Sequence, residues 1–127
     1  MAEIELNLKK SGGVPTIEIV IGNALWGTYK FKLWDKDGKN PDIIGSGFSG
    51  DGIDDEFKIG AISSLNGRYL SWKMAVSGFE DGENEQYHVT ILVRQKNKTV
   101  DGGIFTYSGS LDGGVKTEGG FVKINVS

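Results

Sequence analysis

Leu25-Trp26-Gly27-Thr28-Tyr29-Lys30-Phe31-Lys32-Leu33-Trp34 (LWGTYKFKLW) places Leu25, Tyr29, Phe31 and Leu33 on one side of an extended chain. Trp26, Thr28, Lys30, Lys32 and Trp34 fall on the other. Strand side chains point alternately to opposite faces, whereas an amphipathic helix needs apolar positions three and four apart. The run therefore reads as a strand with a core face and an outer face. Lysines belong in water, so the outer face is the one that carries both tryptophans.

The same period extends in both directions. Upstream, EIELNL (3–8) alternates Ile4, Leu6 and Leu8 with polar residues, and TIEIVIG (16–22) puts Ile17, Ile19 and Ile21 together. Downstream, weak strands fall near 42–46 and 55–60, around a glycine-rich loop. RYLSWKMAV (68–76), QYHVTILVRQ (86–95), GIFTYSG (103–109) and GFVKINV (120–126) complete the series. IGAISSLNG (59–67) is the least strand-like piece and reads as one helical turn. No stretch of ten residues keeps helical spacing. Eight or nine short strands with one buried face each predict an all-β domain spanning residues 1–127. The expected architecture is a two-sheet antiparallel β-sandwich, with a closed β-barrel as the alternative that the same signals allow.

Composition agrees. The chain has 127 residues, of which Leu, Ile, Val and Phe make up 35, enough apolar material for one core. Its 20 glycines come with only two prolines, a pattern that punctuates strands with turns and bulges. The absence of cysteine excludes disulfides and thiolate chemistry. A net charge of −3 lacks the basic footprint of a nucleic-acid binder. No stretch has the apolar length of a transmembrane helix, and the first ten residues lack the charged and apolar regions of a secretory signal. The expected compartment is the cytoplasm.

The next question is Asp35-Lys36-Asp37-Gly38-Lys39-Asn40-Pro41-Asp42 (DKDGKNPD). An EF-hand loop needs oxygen ligands at its first, third, fifth and twelfth positions and glycine at the sixth. Aligning Gly38 to that sixth position places Leu33 and Ile44 where ligands should be, so the motif fails. A hairpin turn with Gly38 in the left-handed region fits instead. Between Asp35 and Glu56, however, seven acids stand against two lysines. Should these loops converge, Asp35, Asp37, Asp51 and Asp54 would be the oxygen ligands of a calcium ion.

Catalytic signals are sparse. Gly45 to Gly50 match G-x-G-x-x-G, but the acidic DGIDDEF that follows is no helix and would repel phosphate. His88 is the single histidine and falls on the outer face of its strand. Asp54, Asp55 and Glu56 are consecutive and so alternate across a strand. The expected function is a non-catalytic recognition module. Trp26, Trp34, Lys30, Lys32 and Thr28 would hold a glycan or a protein surface, because indole rings combine an apolar face with a polar tip. The alternative is an assembly subunit that buries the same face in a homo-oligomer or larger complex. A small hydrolase is third.

Overall fold

Alternation of inward and outward residues builds most strands of the computed structural model, which describes residues 4–22, 26–49, 53–77, 86–110 and 115–127. At Trp26, Ser49 and Ile53 it describes the backbone alone. The strands are β1 (Glu5–Leu8), β2 (Thr16–Gly22), β3 (Trp26–Trp34), β4 (Asp42–Ser49), β5 (Ile53–Lys58), β6 (Tyr69–Ser77), β7 (Gln86–Gln95), β8 (Lys98–Ser110) and β9 (Val115–Val126). Single 3-10 turns cover Lys10–Gly12 and Ile62–Ser64, the second within the segment that the sequence marks as a helical turn.

All nine strands join one sheet in the order β4-β3-β6-β9-β1-β8-β7-β2-β5. Neighbours run antiparallel except β1 and β9, which are parallel with Glu5 opposite Lys123, so the sheet is mixed and not wholly antiparallel as expected. The other side of β1 meets β8 at Asn7 and Asp101, whose side chains hydrogen-bond at 3.1 Å. Four residues of β1 thus join what would otherwise be two four-stranded sheets. The joined sheet curls until its edge strands, β4 and β5, lie side by side. Of the two architectures that the sequence allows, this nearly closed sheet matches the barrel.

The inward faces share one core built from alternate residues of each strand, including Leu6, Ile19, Phe31, Leu70, Ile91 and Ile124, all fully buried. Burying a side chain of this size stabilises by about 1.5–3 kcal/mol. Glycine shapes the core as much as these residues do. Tyr29 stands opposite Gly47, Phe31 opposite Gly45, Trp72 opposite Gly120 and Tyr87 opposite Gly109. A Cβ at Gly47 would come within 2.5 Å of the Tyr29 hydroxyl oxygen, and one at Gly109 within 3.0 Å of the Tyr87 ring. Three of the four large rings therefore lie across the space that a neighbouring side chain would fill.

The same device draws the edges together. The Phe57 ring of β5 lies within 2.5 Å of where a Gly45 Cβ would be on β4. Beside it, the Tyr29 hydroxyl donates to the Asp55 carboxylate. Burial, then the hydrogen bond and charge of Asp55, push this phenol far above its ordinary titration range.

Candidate functional site

Parity assigns the outer face of the β3-β6-β9 half. With Tyr29, Phe31 and Leu33 buried, β3 turns Thr28, Lys30, Lys32 and Trp34 outward, as the sequence indicates. On β6, burial of Leu70, Trp72, Met74 and Val76 turns Tyr69, Ser71, Lys73 and Ala75 outward. On β9 the outward set includes Thr117, Gly119 and Phe121, the last 58% exposed. Register then builds rows across the face. Trp34 is opposite Tyr69, Lys32 is opposite Ser71 and then Phe121, and Lys30 is opposite Lys73 and then Gly119.

The small residues Ser71, Ala75 and Gly119 leave a trough of about 660 Å³, bordered by Lys30, Lys32, Lys73, Thr28, Thr117 and Trp34. A second hollow of about 510 Å³ lies on the far side of Trp34 and Ser71, walled by Tyr69, Phe121 and the Lys36-Asp37-Gly38 turn. Trp34 separates the two. Its indole Nε1 donates to Ser71 Oγ at 2.8 Å, and its carbonyl accepts from Arg68 Nε at 3.1 Å. The Lys32 ammonium is 5.8 Å from the indole centre, within cation–π range. Both ends of Trp34 are therefore anchored, and the ring is presented with little freedom to lose on binding.

Trp26 opens β3 opposite Ser77, and its side chain lies outside the described residues. Its backbone is eight residues from that of Trp34, a separation of roughly 27 Å along a strand. The two tryptophans cannot share one ring-sized patch. The aromatic neighbours of Trp34 are instead Tyr69 and Phe121, whose rings are 6.4 Å apart. Sequence reasoning did not single out these two, nor Ser71 and Lys73. The signal was present in RYLSWKMAV, where placing Leu70, Trp72, Met74 and Val76 inward sends Tyr69, Ser71 and Lys73 outward.

Among the described residues the acidic side chains do not converge. The Asp35–Lys39 turn forms as expected: the Gly38 amide donates to the Asp35 carbonyl at 2.9 Å, and Gly38 has φ +76°. Asp35 accepts from Asn40 at 2.9 Å and has Arg68 at 3.8 Å, while Asp37 accepts from the Lys39 amide at 3.1 Å. Asp54 lies on β5 opposite Val20, beyond the far end of β4 from that turn. Eight strand residues separate the two places, roughly 25 Å. Asp51 lies outside the described residues. Among the described residues no three His, Asp or Glu side chains gather into a metal-binding group.

Asp55 points inward to Tyr29, while Asp54 and Glu56 point outward beside Glu18. There Arg94 Nη1 is 2.8 Å from Glu18 and 3.9 Å from Glu56. A hydrogen bond shared with Asp54, then burial, push the Glu18 carboxyl up against the opposing pull of Arg94. His88 is exposed on the outer face, opposite Gly22 and Ser108.

Comparison with known families finds no match, and no curated protein matches the chain. Among solved structures it is similar to a domain of unknown function, DUF4425, from Bacteroides vulgatus ATCC 8482. The TM-score is 0.50 at 15% identity, covering 89% of this chain and 95% of that one. A DUF4425 family protein from Bacteroides ovatus ATCC 8483 gives 0.49 at 13% identity, over 87% and 94%. At such identity the likeness to the first concerns the fold alone.

Proposed function

We propose that the chain is a non-catalytic recognition module that holds a carbohydrate along the outer trough of β3, β6 and β9. The observation that carries this reading is the anchored Trp34 indole between two hollows, with the Thr28, Ser71 and Thr117 hydroxyls along the larger one. A sugar ring offers an apolar face to an indole and a rim of hydroxyls to polar side chains, and this trough supplies both partners. Its volume falls in the range of small-molecule sites, roughly 300–1,000 Å³.

Binding of labelled oligosaccharides to the full chain and to Trp34→Ala tests the reading. Loss of the anchor should weaken binding about 30-fold, a hot-spot effect of roughly 2 kcal/mol, with circular dichroism and solution mass unchanged. If Trp34→Ala or Phe121→Ser instead converts an oligomer to monomers, the face is an assembly surface. Hydrolysis that survives Trp34→Ala and vanishes with Asp55→Asn or Glu56→Gln would replace recognition with catalysis.

A further inference from the structure

Lys30 and Lys73 stand directly opposite each other on β3 and β6, and Lys32 follows two positions along on the same face. Facing Cβ atoms in such pairs are about 5 Å apart, and like charges so placed oppose folding. Among the described residues none of the three lysines has an acid within ion-pair distance, and the ion pairs there belong to Arg68 and Arg94. Glu118 also borders the trough, but it is opposite the buried Met74 on the inward side of β9, and its charge acts on Tyr87.

Two ordinary reasons for surface lysines do not account for this set. Lysine guards exposed sheet edges against unwanted pairing, yet β3 and β6 are interior strands, flanked by β4 and β9. Solubility is served by either sign of charge, and in a chain of net charge −3 a lysine cluster runs against the majority.

We infer that the ligand of the trough is an anionic saccharide, with ring-borne carboxylate or sulfate groups that Lys30, Lys73 and Lys32 neutralise while Trp34 meets a sugar ring. This inference rests on the carbohydrate reading above and adds the charge of the ligand. Uronate and sulfated sugars share the required chemistry. A nucleic acid would need a basic track along many phosphates, and this patch is three lysines beside one indole.

The full chain should be titrated calorimetrically with two matched polymer pairs: polygalacturonate against its methyl-esterified form, and dextran sulfate against dextran. Each pair differs in charge and keeps the sugar backbone. The expected result is at least tenfold tighter binding to the charged member of one pair, and the pair that responds identifies carboxylate or sulfate. Raising sodium chloride from 50 to 300 mM should weaken that binding several-fold, because exposed charges are screened. The double variant Lys30→Ser/Lys73→Ser should lose about tenfold in affinity for the anionic polymer. Its melting temperature should rise by about 1–3 °C as the opposed charges are removed.

Equal binding to both members of each pair, unaffected by the lysine changes, overturns the charge inference and leaves the carbohydrate reading standing. Binding to none of the four polymers overturns both. Tighter binding to polyglutamate than to any polysaccharide, lost in the lysine variant, overturns the saccharide and points to an acidic peptide.

Discussion

The two outer faces of this sheet treat charge in opposite ways. Over β2, β5 and β7, Arg94 lies between Glu18 and Glu56 and so gives these acids a cation, although Asp54 beside Glu18 still pushes its carboxyl up. Over β3, β6 and β9, Lys30 faces Lys73 with no acid within ion-pair distance of either among the described residues, and the anchored Trp34 ring lies four positions along β3 from Lys30. The first face places a cation among its acids. The second gives up a little stability to keep three positive charges unmatched, and residues that work against the fold are the ones to examine for function.

Both faces depend on the core between them, so the largest effect should come from breaking it. Gly120→Val puts methyl groups where the Tyr107 hydroxyl (2.8 Å from the added Cβ) and the Trp72 ring (3.0 Å) already lie. Valine normally favours a strand, yet here it should destabilise by about 3 kcal/mol through overpacking. Chemical denaturation checks this, and a stabilised variant would show that the glycine makes no room for the rings.

Next comes the link between the edges of the two halves. Tyr29→Phe removes the hydroxyl that donates to Asp55 and should cost about 1 kcal/mol at neutral pH. The sign of its alkaline effect is fixed by the raised folded-state pKa. An unfolded tyrosine releases its proton near pH 10 while the folded chain retains it, so the native state binds more protons above that pH and loses stability as pH rises. Denaturation midpoints from pH 9 to 11 should fall less steeply in Tyr29→Phe than in the parent.

The sharpest test of the comparison is a pair of like substitutions. Arg94→Met should destabilise by about 1 kcal/mol, because Glu18 and its acidic neighbours lose their cation. Lys73→Met should stabilise by a few tenths of a kcal/mol. Glu18 adds a pH signature. Its folded pKa lies above the ordinary value, so its contribution is greatest in acid and is lost as pH rises through the interval just above 4.5. Without Arg94 to oppose the shift, that loss should deepen. Melting curves between pH 4 and 7 measure both effects, and equal signs for the two methionine variants would dissolve the distinction between the faces.

Most of the strands are legible in the sequence because their apolar residues alternate. The outward placement of Lys30, Lys32 and Trp34 is read correctly for the same reason. β4 shows where this reading stops. It continues past Ser46 through Gly47 and Phe48 to Ser49, a stretch that reads as loop because its glycines carry no side chain to alternate. What fills those positions are rings of other strands, Phe57 over Gly45 and Tyr29 over Gly47, and such pairings depend on register. Likewise β8 begins at Lys98 and β9 at Val115, earlier than their apolar residues announce. The site was half visible: parity gave the β3 side of the trough, while Tyr69, Lys73 and Phe121 join it only once β6 and β9 are known to be neighbours. Asp35 and Asp37 on one side and Asp54 on the other show the converse, because a local charge excess in sequence is here spread along the length of a strand.

The parallel pairing of β1 with β9 has a consequence in time. Leu6 finds its place beside Ile124, and Ser127 donates its amide to Leu8, so β1 is held by a strand made more than a hundred residues after it. On the ribosome, β1 must wait, its Leu6 and Leu8 uncovered, until nearly all the remaining strands have emerged. Closing so long a loop before any reward is a slow route, on the order of milliseconds to seconds for β-rich domains. A pause in synthesis before β9 would therefore leave a nascent chain with its central slot empty, open to the first extended segment that reaches it.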